Sequence, residues 1–166
     1  MLTSHELLGF MSPALANEIL AYAFESDKPL YKATLQAVAE ARKLRPVFLE
    51  RQPKTQRHTL MLAQLARPSS EMVTANLLRT WLLKKHKGLL TDFLDSLGIA
   101  HKEGVVEDLP KTMEDAKLQT AVDSVLAKHP PEVVAVYLNA FSEMNEVDWP
   151  SLKAMLKSDS RLQLGG

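Results

Sequence analysis

Apolar side chains recur along this chain at intervals of three and four, the spacing that gathers them on one face of an α-helix. From Pro13 to about Glu25 the repeating positions are Leu15, Ile19, Leu20, Ala23 and Phe24; from Asp27 and Pro29 onward they are Leu30, Ala33, Ala37, Val38 and Ala41. Arg45 precedes Pro46, and a residue before proline is biased out of helical backbone, so Val47, Phe48 and Leu49 read as a short apolar plug, with Phe48 in the core. Pro53 opens a further helix with Met61, Leu62 and Leu65 inward. Ser69 or Ser70 caps the next, whose inner face is Val73, Leu77, Leu78, Trp81 and Leu82 and which Gly88 ends. This helix is expected to be central to the core.

Leu90, Phe93, Leu94 and Leu97 then share a face, and Gly98 stops that helix as a left-handed residue, with Ile99 returning to touch Leu94 in a Schellman motif. Residues 98–111 form one long irregular loop. Thr112 and Asp115 resemble a capping box for a helix carrying Leu118, Val122, Val125 and Leu126. Pro131 starts another, with Val134, Tyr137, Leu138 and Phe141 inward, and Asp148 with Pro150 caps a last one holding Leu152, Met155 and Leu156. At the other end, Thr3 and Glu6 make a capping box for a short helix with Leu7, Leu8 and Met11. The closing Gly165-Gly166 reads as a frayed end.

No stretch alternates with period two, and most of the 9 prolines stand at helix starts, so the fold class is all-α. The absence of a fixed repeat favours an irregular, orthogonally packed multi-helix bundle over a short α-α superhelical stack. A length of 166 residues suits a single domain, 1–166. An apolar fraction of 46% argues against disorder. No cysteine is available for disulfides, the first eleven residues lack a signal-peptide pattern, and no apolar run is long enough to span a bilayer; a cytoplasmic location without membrane association is expected.

Charge changes the picture, because overall neutrality hides three blocks. Residues 42–87 carry 11 Lys or Arg against 2 acids, whereas residues 1–41 are net −3 and residues 88–166 net −6. Arg42, Lys43, Arg45, Arg51, Lys54 and Arg57 are close enough in sequence to form an anion-binding surface, with Arg42, Arg45, Arg51, Lys54 and Arg57 as the candidate contacts. Against this, Lys84, Lys85 and Lys87 suit a helix C-terminus, and no aromatic residue is expected to interleave the block as a stacking platform requires.

The five histidines share no ligand-like spacing, and the chain has no HExxH, GxSxG, GxGxxG or P-loop pattern. Asp92, Asp95, His101 and Glu103 form the one local mixture of carboxylates and imidazole; Asp95, His101 and Glu103 are the weak metal candidates, and the competing reading is an ion pair from Asp95 to Lys87, Lys102 or His101. Ser4-His5 is placed at a mobile terminus, and Asn76 and Asn139, within apolar helices, are expected to fasten helix contacts. The sequence therefore suggests a non-catalytic helical interaction or scaffold domain with a protein partner and no cofactor. The alternatives are polyanion or nucleic-acid binding through residues 42–87, and a metal-dependent enzyme built on residues 92–103. Oligomeric state is left open.

Overall fold

The computed structural model describes residues 1–164, which form an all-α multi-helix bundle with ten α-helices and no strand among the described residues. Gly165-Gly166 lies outside them. The chain gathers into two compact units, one of Thr3–Trp81 and one that runs from Leu82 onward and includes Met1–Leu2.

The first unit contains α1 (Ser4–Phe10), α2 (Pro13–Ser26), α3 (Lys28–Ala41), α4 (Pro46–Glu50), α5 (Lys54–Leu65) and α6 (Glu71–Lys85) as far as Trp81. Local chemistry sets the helix starts. Ser12 Oγ accepts from the Leu15 N–H at 3.2 Å, Asp27 Oδ1 accepts from the Leu30 N–H at 3.2 Å, and Glu6 Oε1 accepts from the Thr3 N–H at 3.2 Å. Helix α3 packs on α2, α4 and α5, around a core that includes Ile19, Leu20, Val38, Leu49, Met61, Leu65 and Trp81.

One inner face and one cap differ from expectation here. On α3 the buried residues are Leu30, Thr34, Leu35, Val38 and Ala39, while Ala33 and Ala41 are exposed; alanines offer too little apolar area to fix a face, and Thr34 satisfies its hydroxyl by donating to Leu30 O at 2.7 Å. Ser69 and Ser70 sit at and within a 3-10 turn, where their hydroxyls accept from Gln64 Nε2 at 3.1 and 3.0 Å. The N-terminus is also held: Glu71 accepts from the backbone N–H groups of Ser4 and His5 at 3.1 and 2.8 Å, so Ser4-His5 opens an anchored helix.

The second unit contains the end of α6, then α7 (Lys87–Ser96), α8 (Asp115–Lys128), α9 (Pro131–Asn145) and α10 (Pro150–Ser158). Every residue of α9 from Val133 to Phe141 is buried, which makes it the axis of this unit. Phe93, Tyr137 and Phe141 meet edge to face at 5.4–5.8 Å, and Trp149 continues the cluster at 5.1 Å from Phe141. Asn139 is buried as expected, accepting from the Leu2 N–H and donating to Ala135 O, whereas Asn76 is exposed.

The backbone of the Schellman motif is present: Gly98 has φ +70°, its N–H donates to Asp95 O, and the Ile99 N–H donates to Leu94 O. Three expected boundaries move. Gly88 lies inside α7, after a break at His86. Glu114 rather than Thr112 stands at the N-cap of α8. Trp149 rather than Asp148 stands at that of α10, because its buried indole N–H donates to Pro110 O at 2.8 Å and fixes the chain's entry, leaving Asp148 to pair with Lys153. Among the described residues, no helix is long and apolar enough to cross a membrane.

Candidate binding surface on α3 to α5

Helix α4 carries three successive apolar residues, and successive helical side chains point roughly 100° apart. Leu49 is fully buried; Val47 and Phe48 therefore share the opposite side and are 51% and 52% exposed. This corrects the expectation that Phe48 lies in the core. One anchored leucine is enough to seat a five-residue helix, and an aromatic residue does interleave the basic block.

The cations around α4 divide by what they touch. Arg57 is committed inward: its Nε donates to the Tyr31 hydroxyl at 2.8 Å, and its Nη1 donates to Glu50 O at 3.0 Å and Gln52 O at 3.4 Å. Those carbonyls belong to the end of α4 and the turn after it, so Arg57 positions the helix. Arg42 donates through Nε to Gln64 Oε1 at 2.7 Å. The Lys54 ammonium lies 4.7 Å from the Phe24 ring centre, on an otherwise exposed side chain. Arg45 and Arg51, at the two ends of α4, are exposed, and neither side chain makes a hydrogen bond or ion pair to another described residue. The same holds for Lys43, whose backbone takes the left-handed conformation (φ 57°) at the end of α3.

Beneath this surface lies a compact polar knot that sequence reading missed. His58 is 5% exposed, with Phe24 and Tyr31 around it at ring separations of 5.6 and 5.5 Å. Burial, and then the charges of Arg57 and Lys54, push its pKa down to about 4, so the imidazole is neutral. Since Arg57 donates to the Tyr31 oxygen, the phenolic proton is directed to His58 Nε2, 2.8 Å away. His58 lies on α5, some thirty residues beyond Phe24 and Tyr31, and carries no local signal.

The remaining candidates are occupied by structural work. His101 Nε2 lies 2.7 Å from Asp95 Oδ1 while its Nδ1 accepts from the Gly104 N–H at 3.2 Å, which ties the loop back to α7. Glu103 pairs instead with Lys87 at 3.6 Å, and no group of three or more potential metal ligands occurs among the described residues. Asp92 meets His129 at 2.8 Å. Near the N-terminus, the Thr3 hydroxyl and Glu71 carboxylate both approach His5 Nδ1, at 3.2 and 2.6 Å. A nucleophile triad uses opposite ring nitrogens, so this trio is not arranged to relay a proton. Between α8 and α10 a groove of about 340 Å³ is lined by Asp115, Gln119, Ser151, Met155, Ser158 and Asp159 among others. Four of its polar side chains are turned to neighbours: Ser151 to Met113 O, Ser158 to Ala154 O, Gln119 to Asp123, and Asp159 to Arg161.

No family model, curated protein or solved structure matches this chain. The surface on α3 to α5 therefore stands on its own geometry: two exposed apolar side chains on a fixed helix, bracketed by cations without internal partners.

Proposed function

We propose that the chain is a non-catalytic interaction domain that binds a protein partner through α4. The observation carrying this reading is the exposure of Val47 and Phe48 beside the buried Leu49, between Arg45 and Arg51. Exposed aromatic and arginine side chains are the residue types that dominate binding energy at protein interfaces, and Arg57 holds their backbone in place before any partner arrives. Catalysis is the weaker reading because the imidazole–carboxylate pairs anchor loops and helix ends.

A displayed random-peptide library tests the proposal, selected on the full chain and counter-selected on a Val47→Ser/Phe48→Ser variant. Peptides enriched only on the parent support α4 as the working surface. Recovery of no sequence that distinguishes the two proteins contradicts it.

A further inference from the structure

We infer that the segment α4 receives is acidic and carries an apolar anchor: carboxylates for Lys43, Arg45 and Arg51, and a hydrophobic side chain for Val47 and Phe48. This rests on the reading of α4 as the binding surface and adds the chemistry of what binds there.

Charge complementarity supplies the first half. Residues 42–57 hold six Lys or Arg and a single acid, Glu50. Arg42 and Arg57 are drawn inward, but Lys43, Arg45 and Arg51 retain their whole hydrogen-bonding capacity, and arginine's planar fork matches a carboxylate in two-point contact. The apolar pair supplies the second half. A polyanion bound by charge alone has no use for Val47, and single-stranded nucleic acid wants successive aromatic faces on which to stack bases. Phe48 offers one such face. Phe24 and Tyr31, the rings that Lys54 and Arg57 approach, are engaged by each other at 5.0 Å, by His58, and by those two cations. An aliphatic–aromatic pair with a cationic rim fits a peptide that alternates acidic and hydrophobic residues. The interface is apolar at its centre and charged at its edge, as protein interfaces are.

The test is fluorescence anisotropy with the full chain and four labelled probes: a short synthetic peptide alternating Asp or Glu with Leu and Trp, its Asn/Gln counterpart, an acidic peptide with Ser and Gly at the apolar positions, and oligo(dT). The acidic, apolar-anchored peptide is expected to bind best and to weaken as salt rises from low to physiological ionic strength. Both Phe48→Ala and Arg45→Glu/Arg51→Glu should weaken it by roughly tenfold or more. These positions are exposed, and unchanged circular dichroism verifies that the variants fold. Equal or tighter binding of oligo(dT) or of the acidic peptide without apolar residues overturns the inference, as does no binding of the first peptide or binding that Phe48→Ala leaves intact. The two proposals fail separately. Library peptides that depend on Phe48 yet are neutral or basic leave α4 as the surface and remove the acidic partner, whereas a library with no Phe48-dependent sequence removes the surface itself.

Discussion

Arg57 and His58 are adjacent in sequence and serve the same corner in different ways. Arg57 ties α5 to the end of α4 and the turn after it through Glu50 O and Gln52 O, and to α3 through Tyr31. Hydrogen bonds from a charged group contribute about 1.5–3 kcal/mol, so Arg57→Ala should lower unfolding free energy by about that amount in urea titration. Arg57→Lys should leave most of the loss in place, because a single ammonium does not reproduce the fork. His58 is neutral when folded, with a pKa of about 4 against an ordinary 6.5. The unfolded chain takes up a proton as pH falls through 6.5 and the folded chain does not until about 4, so the stability this site contributes is complete above 6.5 and is lost progressively toward 4. Denaturant titrations across that range should show stability falling with acid and a flatter slope for His58→Gln; parallel slopes would remove His58 from the explanation. Glu71 acts at lower pH. Burial opposes its ionisation, but hydrogen bonds from His5 and Ser4 prevail and hold its carboxyl below the ordinary 4.5, so its contribution disappears only as pH falls below that value.

At the scale of elements, Gly98 and Gly104 separate two costs. Both have positive φ, +70° and +87°, but a Cβ on Gly98 meets nothing nearer than Lys117 Nζ at 3.9 Å, whereas one on Gly104 comes within 3.1 Å of Leu90 Cβ. Gly98→Ala should cost about 1–2 kcal/mol, the left-handed penalty alone, and Gly104→Ala should cost more because Leu90 must also shift. Thermal melting of the two variants decides it, and equal melting temperatures would contradict the close approach. The Gly98 turn was legible because glycine, Ile99 and Leu94 occupy fixed positions in a motif that local backbone geometry dictates. The apolar faces of α2, α5, α7 and α9 were legible for a similar reason, since large side chains at helical spacing have one place to go. Phe48 was not, since in a five-residue helix there is no periodicity to say which of three neighbouring apolar residues turns inward. Thr112 and Asp148 misled because capping residues compete, and the winners were set by packing remote in sequence, such as the bond from Trp149 to Pro110. For the candidate surface the charges were visible in the sequence, but their division into inward and outward sets depends on Gln64, Tyr31 and the α4 carbonyls, none of which is near in the pattern.

Over the whole molecule, the positive block of residues 42–87 does several jobs. Lys84 and Lys85 close α6, where cations complement the helix dipole, Lys87 pairs with Glu103, and Arg42 and Arg57 brace α3 to α5. Of the exposed cations in the block, which also include Arg67 and Arg79, Lys43, Arg45 and Arg51 flank the apolar pair on α4 in sequence. Binding is thus expected at one small corner, with salt weakening it and loss of Phe48 removing its apolar centre. Titration of the isotope-labelled full chain with the acidic, apolar-anchored peptide, followed by amide shifts in nuclear magnetic resonance, tests this most directly. The account predicts that perturbations concentrate in residues 42–57 and leave the groove between α8 and α10 unchanged. Perturbations centred on Asp115, Ser151 and Asp159, or none at α4, would contradict it.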